Sequence, residues 1–140
     1  RLKQQPDKFS KDVYDRMMTG LSYTNLDYAN AVRAREVWKL ELVQVFGSVD
    51  IILSPTLPTL VPPIDDDKSL LEATKDATRN TYAGALGQIP GLSIPCGFTS
   101  DGLPIGLQLE AAWWEDPMLL RVGHSFQRLT DWHLKKPIIK

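Results

Sequence analysis

Cysteine, net charge and long apolar runs are all scarce in this sequence of 140 residues. The single cysteine, Cys96, excludes an internal disulfide framework and a cysteine-rich metal site. No apolar run approaches the roughly 20 residues that a membrane-spanning helix needs, and no basic-then-apolar targeting signal opens the chain. A net charge of −1 gives no electrostatic reason for direct binding to nucleic acid or to an anionic membrane. Together these features favour a cytoplasmic protein.

Side chains that bind metals are also sparse. The two histidines, His124 and His133, have no Glu or Cys at ligand spacing and lie too far apart to share an ion. Three acidic residues at 65–67 could attract a cation, but they stand in a proline-rich stretch at 56–68 that is typical of an exposed, solvated loop. We therefore expect no metal.

Hydrophobic periodicity predicts four helices and one strand. The helices are expected at about 11–19, 24–46, 69–86 and 116–129. Gly47 stands at the C′ position of the second helix, Ser69 and Glu72 have capping-box spacing, and Asp116 stands at the cap position of the last helix. A short apolar run at 50–54 predicts a strand covered on both faces. The predicted class is therefore α/β.

A hairpin over 92–109 is the most heavily specified element of the sequence. The turn at 100–102 reads Ser-Asp-Gly, in which Asp bonds its own backbone and Gly adopts positive φ. Prolines before, within and after the first apolar run cannot donate to a ladder, so they indicate strand starts, edges or bends. Gly106 removes a side chain at a point where another backbone or a ligand can come close.

Two motifs in this hairpin resemble a known family. They are Pro90-Gly91-Leu92-Ser93-Ile94-Pro95-Cys96-Gly97-Phe98 and Gly102-Leu103-Pro104-Ile105-Gly106-Leu107-Gln108. In the order and spacing of Pro, Gly and Gln they resemble the C-terminal part of the amidase signature family. That family includes small-molecule amidases and the glutamine-hydrolysing A subunit of the transfer-RNA amidotransferases. The resemblance implies that residues 1–140 are the C-terminal lobe of an amidase domain, with helices around a mixed β-sheet that is incomplete in this chain.

The same resemblance implies a mechanism for the parent enzyme. Family members hydrolyse a carboxylic amide with a serine nucleophile, a second serine and a lysine base. The resemblance thus implies a reaction without metal or organic cofactor. This chain has no two adjacent serines, so the resemblance places the Ser-Ser-Lys centre upstream and no catalytic residue here. The chain would then be inactive alone and would form a wall of the substrate cleft. Its expected partners are the upstream catalytic segment of the same enzyme and a small amide substrate, and a homodimer is left open.

Arg16 is the first candidate for substrate binding. The segment Val13-x-x-Arg16-Met17-x-x-Gly20 is similar to a family segment, and its arginine matches one that grips the substrate carboxylate in glutamine-specific members. The alternative is a helix-surface ion pair of Arg16 with Asp12 or Asp15.

Thr56 and Trp113 are the other two candidates. The segment 50–56 resembles the family strand that ends in Pro-Thr beside the substrate cleft, so the Thr56 hydroxyl either lines the cleft or stabilises the turn. Trp113, with Trp114 beside it, either covers a hydrophobic substrate pocket or packs at a strand end. Cys96 is interpreted as a buried small residue in preference to a reactive thiol.

Two departures from the family pattern bear on the substrate. The family's Asn-x-x-Gly-x-Pro reads Ala85, Gln88 and Pro90 here. In the glutamine-hydrolysing members an Asp holds the substrate's amino group at the position of Thr78. The amidase is therefore preferred over the A subunit of an amidotransferase, and a non-catalytic binding or scaffold remnant remains a third hypothesis.

Overall fold

A computed structural model describes residues 2, 4–63 and 70–137 of the chain. The described residues form five α-helices, three strands and two short 3-10 helices. The helices and strands are α1 Lys11–Gly20, α2 Asn25–Phe46, β1 Ile51–Pro55, α3 Leu70–Ala77, α4 Tyr82–Gly87, β2 Gly91–Phe98, β3 Pro104–Ala111 and α5 Asp116–Leu129. The predicted α/β class is confirmed. The acidic residues at 65–67 and the capping residue Ser69 lie outside the described residues.

Strand β3 lies at the centre of a three-stranded sheet in the order β1-β3-β2. Both strand pairs are antiparallel, with Ile52 of β1 and Gly91 of β2 opposite Glu110 of β3. The turn between β2 and β3 has Gly102 at φ +81°, the left-handed conformation that favours glycine. Strand β3 is therefore hydrogen-bonded to both of the other strands.

One face of this sheet is apolar and packs against α5. Leu109 is the most buried large side chain on it, at 1% exposure. An added Cβ at Gly123 of α5 would lie 2.8 Å from Leu92 Cδ2, so the helix approaches the sheet closely. Burying one such leucine stabilises the fold by about 1.5–3 kcal/mol. The core and the side chains packed on it are Ile51, Leu92, Ile94, Leu107, Leu109, Ala111, Leu119, Val122 and Phe126.

The expectation that the strand at 50–54 is covered on both faces is wrong for this chain. Ile51 packs on the core, but Leu53 is 63% exposed. Helix α5 packs against β2 and β3, and its apolar side does not cover Leu53. An apolar run indicates a strand, but it does not say how much of that strand a neighbouring helix covers.

The single helix predicted at 69–86 is also wrong, because α3 and α4 are separate helices with residues 78–81 between them. The side chains of Thr78 and Thr81 bond backbone carbonyls, to Thr74 O and Thr78 O respectively. Asn80 instead bonds outward, because its side-chain amide donates to Pro55 O and its own carbonyl accepts from Gln108. The local bonds of the two threonines and the long-range bonds of Asn80 compete with helical hydrogen bonds, as Thr and Asn side chains readily do.

Two helix-end predictions also need correction. Gly47 ends α2 with φ −73°, so it is a right-handed C-cap residue and not a left-handed C′ glycine. Asp116 is the first residue of α5, whose N-cap is Glu115. At the other end of α2 the cap is strong, since Thr24 and Asp27 form a reciprocal capping box.

Two indole hydrogen bonds hold α4 against the rest of the chain. Trp38 Nε1 of α2 donates to Ala83 O at 2.8 Å, and Trp113 Nε1 donates to Gly87 O at 3.0 Å. Gly87 is buried, and an added Cβ there would overlap Leu42 of α2. Helix α4 is thereby fixed against α2 and brought beside the sheet.

Much apolar surface remains exposed, particularly on α2. The accessible surface is 11,013 Å², whereas a compact monomer of this mass exposes roughly 7,300 Å². The exposed large side chains of α2 are Leu26, Tyr28, Val37, Leu40, Val43 and Val45. None of the helices in the described part of the chain is long and apolar enough to cross a membrane.

Candidate functional site

The second face of the sheet is polar and carries the candidate site. Side chains alternate between the faces of a strand, so Gln108 and Glu110 point away from the core that holds Leu109. Ser93 lies directly opposite Gln108 in the register and shares its face. With Thr56, Thr81 and Gly84 these residues line a cleft of about 250 Å³. We call this the polar cleft.

Thr56 lies in the polar cleft, immediately after β1. Its amide donates to Gly106 O at 2.9 Å, and its Oγ1 lies 2.6 Å from Ser93 Oγ in a hydroxyl–hydroxyl hydrogen bond. An added Cβ at Gly106 would lie 2.7 Å from Thr56 Oγ1 and 3.0 Å from Ser93 Oγ. The glycine therefore leaves room for the two hydroxyls to meet across β3. The Thr56 hydroxyl therefore bonds a side chain of the cleft lining, while its backbone amide holds the end of β1 to β3.

Gln108 connects the cleft to the segment between α3 and α4. Its Nε2 donates to Asn80 O at 3.1 Å, and Asn80 Nδ2 donates to Pro55 O at 2.8 Å. The end of β1, the linker between the helices and the centre of β3 are thus joined by side-chain amides. Such a satisfied network holds the cleft wall in one arrangement.

Glu110 is a buried carboxyl at the back of the polar cleft, with 9% of its surface exposed. Burial raises the pKa of the Glu110 carboxyl above its ordinary value of 4.5, and hydrogen bonding with Gln108 acts in the opposite direction. An added Cβ at Gly84 would overlap Glu110 Oε1, so the carboxyl lies directly against α4. No cationic side chain among the described residues forms an ion pair with Glu110.

Sequence reasoning missed both Gln108 and Glu110 as site residues. The signal was present, since β3 alternates polar and apolar residues from Leu107 to Ala111. Such alternation is typical of a strand with one solvated face. Here both polar side chains are buried. Their burial follows from the packing of α4 and of residues 78–81 over this face, which the alternation in the sequence does not show.

Arg16 lies on the exposed side of α1 and is not among the residues that line the polar cleft. Within the described residues it makes no hydrogen bond or ion pair. Asp15 is bound instead to Lys11, at 2.6 Å. The alternative ion pair of Arg16 with Asp12 or Asp15 is therefore not formed.

Trp113 lies in a neighbouring depression of about 250 Å³ that it lines with Gln88, Pro90 and Trp114. Its ring is half-buried, and its Nε1 donates to Gly87 O of α4. Trp114 is 91% exposed. Of the three candidates, the structure places only Thr56 in the lining of the polar cleft.

The two departures from the family pattern lie near this site. Ala85 lines the polar cleft. Gln88, where the family has glycine, has φ +58° and a left-handed conformation, and its Oε1 accepts from Lys39 Nζ at 2.6 Å. Thr78 is half-buried in the linker between α3 and α4.

Cys96 is half-buried, with Sγ 3.5 Å from Ile105 O.

Metal-ligating side chains do not converge in the described part of the chain. No group of three or more His, Cys, Asp or Glu residues there is placed to hold an ion. The polar groups that the described residues bring to the polar cleft are hydroxyls, the Gln108 amide and the Glu110 carboxyl.

The described residues thus form a helix-flanked antiparallel sheet with a polar cleft on one face. The family model described as Amidase matches residues 2–120. The chain therefore belongs to the amidase family. The A subunit of glutamyl-tRNA(Gln) amidotransferase from Chloroflexus aggregans is 38% identical over 134 residues, covering 92% of this chain and 27% of that protein.

Solved structures agree with this membership. A crystal structure of an amidase is 32% identical and superposes with a TM-score of 0.81, covering 91% of this chain and 30% of that chain. The corresponding A subunit from Thermotoga maritima is 28% identical with a TM-score of 0.62, covering 77% and 25% respectively. The chain thus spans less than a third of the length of these relatives.

Proposed function

We propose that this chain forms one wall of the substrate cleft of an amidase that hydrolyses a carboxylic amide. The reaction would use a Ser-Ser-Lys centre in an upstream segment of the same enzyme, and the chain alone would be inactive. The observation that carries the proposal is the polar cleft itself, because its hydroxyls, amide and carboxyl line a concave site on a face that the core does not need. Small-molecule sites are clefts in which a few convergent polar groups fix the orientation of the ligand.

The preference for an amidase over the A subunit of an amidotransferase rests on two observations. Thr78 cannot supply the carboxylate expected at its position in a glutamine-hydrolysing enzyme. The amidase structure superposes over more of the chain, with a TM-score of 0.81 against 0.62 for the Thermotoga maritima protein. The amidotransferase remains the second candidate, because curated relatives that are 31–38% identical carry that name.

The three residues proposed for substrate binding take different parts in this scheme. Thr56 would present its hydroxyl in the cleft wall, where it is already held by Ser93. Arg16 has no partner among the described residues and would be free to bind an anionic group. Trp113 would contact the substrate in the adjoining depression, which it lines together with Pro90. A cytoplasmic location is inferred from the composition.

The test uses the complete protein that contains this chain, beside the 140-residue chain alone. Ammonia release is measured with a panel of small aliphatic amides and with glutamine, and a fluorophosphonate probe reports an activated serine. The complete protein should release ammonia from a simple amide and bind the probe, while the chain alone should do neither. Labelling of a serine within this chain would contradict the proposal. Turnover of glutamine alone would favour the amidotransferase.

A further inference from the structure

Glu110 is a buried carboxyl that forms no ion pair with the described side chains. A carboxylate removed from water is costly unless a cation or several hydrogen bonds compensate it. The residues facing Glu110 from the neighbouring elements are Ile52 on β1, Gly91 on β2 and Gly84 on α4, and none of them is titratable. Gln108 is the polar neighbour that acts on it. The carboxyl thus lies in the cleft wall without a cation among the described side chains.

The surroundings leave space for a ligand beside this carboxyl. The polar cleft has about 250 Å³, which corresponds to about eight waters at their liquid volume of roughly 30 Å³ each. Ala85 and Ile89 add an apolar side to the lining. A short methylene chain fits against such a side, and a polar end group fits against the carboxyl.

We propose that Glu110 is a specificity-determining residue that selects amide substrates carrying a primary ammonium group. This inference rests on the proposed amidase function. An ammonium supplies the missing positive charge and up to three N–H donors. Glu110 accepts one of them in the cleft that Thr56 and Ser93 also line. A neutral substrate of the same shape leaves the carboxyl uncompensated and binds less tightly.

The test compares 4-aminobutanamide with pentanamide, which replaces the ammonium by a methyl group, in the complete protein. The ratio of their kcat/KM values should favour the ammonium substrate, and Glu110→Gln should lower that ratio at least about tenfold. Glu41→Gln is the matched control, because it removes a glutamate from the exposed face of α2. That variant should leave the ratio within about twofold. An unchanged ratio in Glu110→Gln overturns the inference.

A binding measurement separates this inference from the proposed function. Calorimetric titration of both compounds into wild type and Glu110→Gln does not require turnover. If neither compound is hydrolysed, the proposed function fails for this substrate class, and binding still decides the role of Glu110. Tighter binding of 4-aminobutanamide that is lost in Glu110→Gln supports the inference. Equal binding of the two compounds to wild type overturns it. Unfolding curves for each variant exclude a folding defect.

Discussion

A side chain at Gly106 is the substitution that most directly disturbs the polar cleft. An added Cβ would lie 2.7 Å from Thr56 Oγ1 and 3.0 Å from Ser93 Oγ. These two hydroxyls share a hydrogen bond of 2.6 Å, so one of them must move. We therefore predict that Gly106→Ala destabilises the protein and raises the KM of the complete protein in the proposed amidase reaction, and that Gly106→Val does so more severely.

The magnitude follows from three contributions. Overpacking an ordered site costs about 1–3 kcal/mol, and losing the hydroxyl hydrogen bond costs about 1 kcal/mol. Replacing glycine by alanine returns about 0.5–1 kcal/mol, because the unfolded chain has less conformational freedom. The expected loss in the free energy of unfolding for Gly106→Ala is therefore about 1–3.5 kcal/mol.

Urea unfolding and KM measurements on the complete protein test this prediction. Gly97→Ala on β2 is the control, because no heavy atom lies within 4 Å of the Cβ that it adds. Its effect should stay within about 1 kcal/mol in either direction. In a Thr56→Ala background, which removes Oγ1, Gly106→Ala should cost less. Equal costs for the two glycine substitutions, or an unchanged cost in that background, would refute the reasoning.

Two further predictions concern backbone strain and burial. Gln88→Gly should raise the free energy of unfolding by up to about 1 kcal/mol, because glycine adopts the left-handed conformation without strain and the lost bond to Lys39 is exposed. A lower free energy of unfolding in urea would show that the bond to Lys39 contributes more than the strain. Burial raises the folded-state pKa of Glu110 above 4.5, so the folded protein favours the protonated carboxyl. The stabilisation from this protonated carboxyl is fully present below pH 4.5 and is lost as the pH rises through the folded-state pKa. Glu110→Gln should therefore remove this loss and gain stability relative to wild type at neutral pH, and a pH-independent difference would contradict the assignment.

Local chemistry was sufficient to predict the elements whose ends are set by neighbouring residues. The strands Gly91–Phe98 and Pro104–Ala111 flank the turn that Ser-Asp-Gly predicts, because only glycine takes positive φ without strain. Helix α2 begins beside Thr24, where its hydroxyl and the Asp27 carboxylate satisfy backbone donors. These signals lie close in sequence to the structure that they specify.

Long-range contacts decide the features that the sequence did not reveal. The break at residues 78–81 depends on Asn80 binding Pro55 and Gln108, which are 25 and 28 positions away. The burial of Glu110 depends on Gly84 of α4, which comes close because Trp38 and Trp113 hold that helix. No local pattern encodes such distances, so the polar cleft emerges only when the helices and the sheet are placed together.

The register of the hairpin determines whether the polar cleft exists. Leu109 faces the core and Glu110 faces the cleft, and a slip of one residue along β3 would exchange the two sides. The slip would bury a carboxyl under α5 and expose a leucine that is 1% accessible, so the apolar face strongly opposes it. The pairing is shifted by one residue between Pro95 and Gly97, which confines the irregularity to the turn end of the hairpin. The core beneath α5 therefore fixes the position of every polar group that β3 contributes to the cleft.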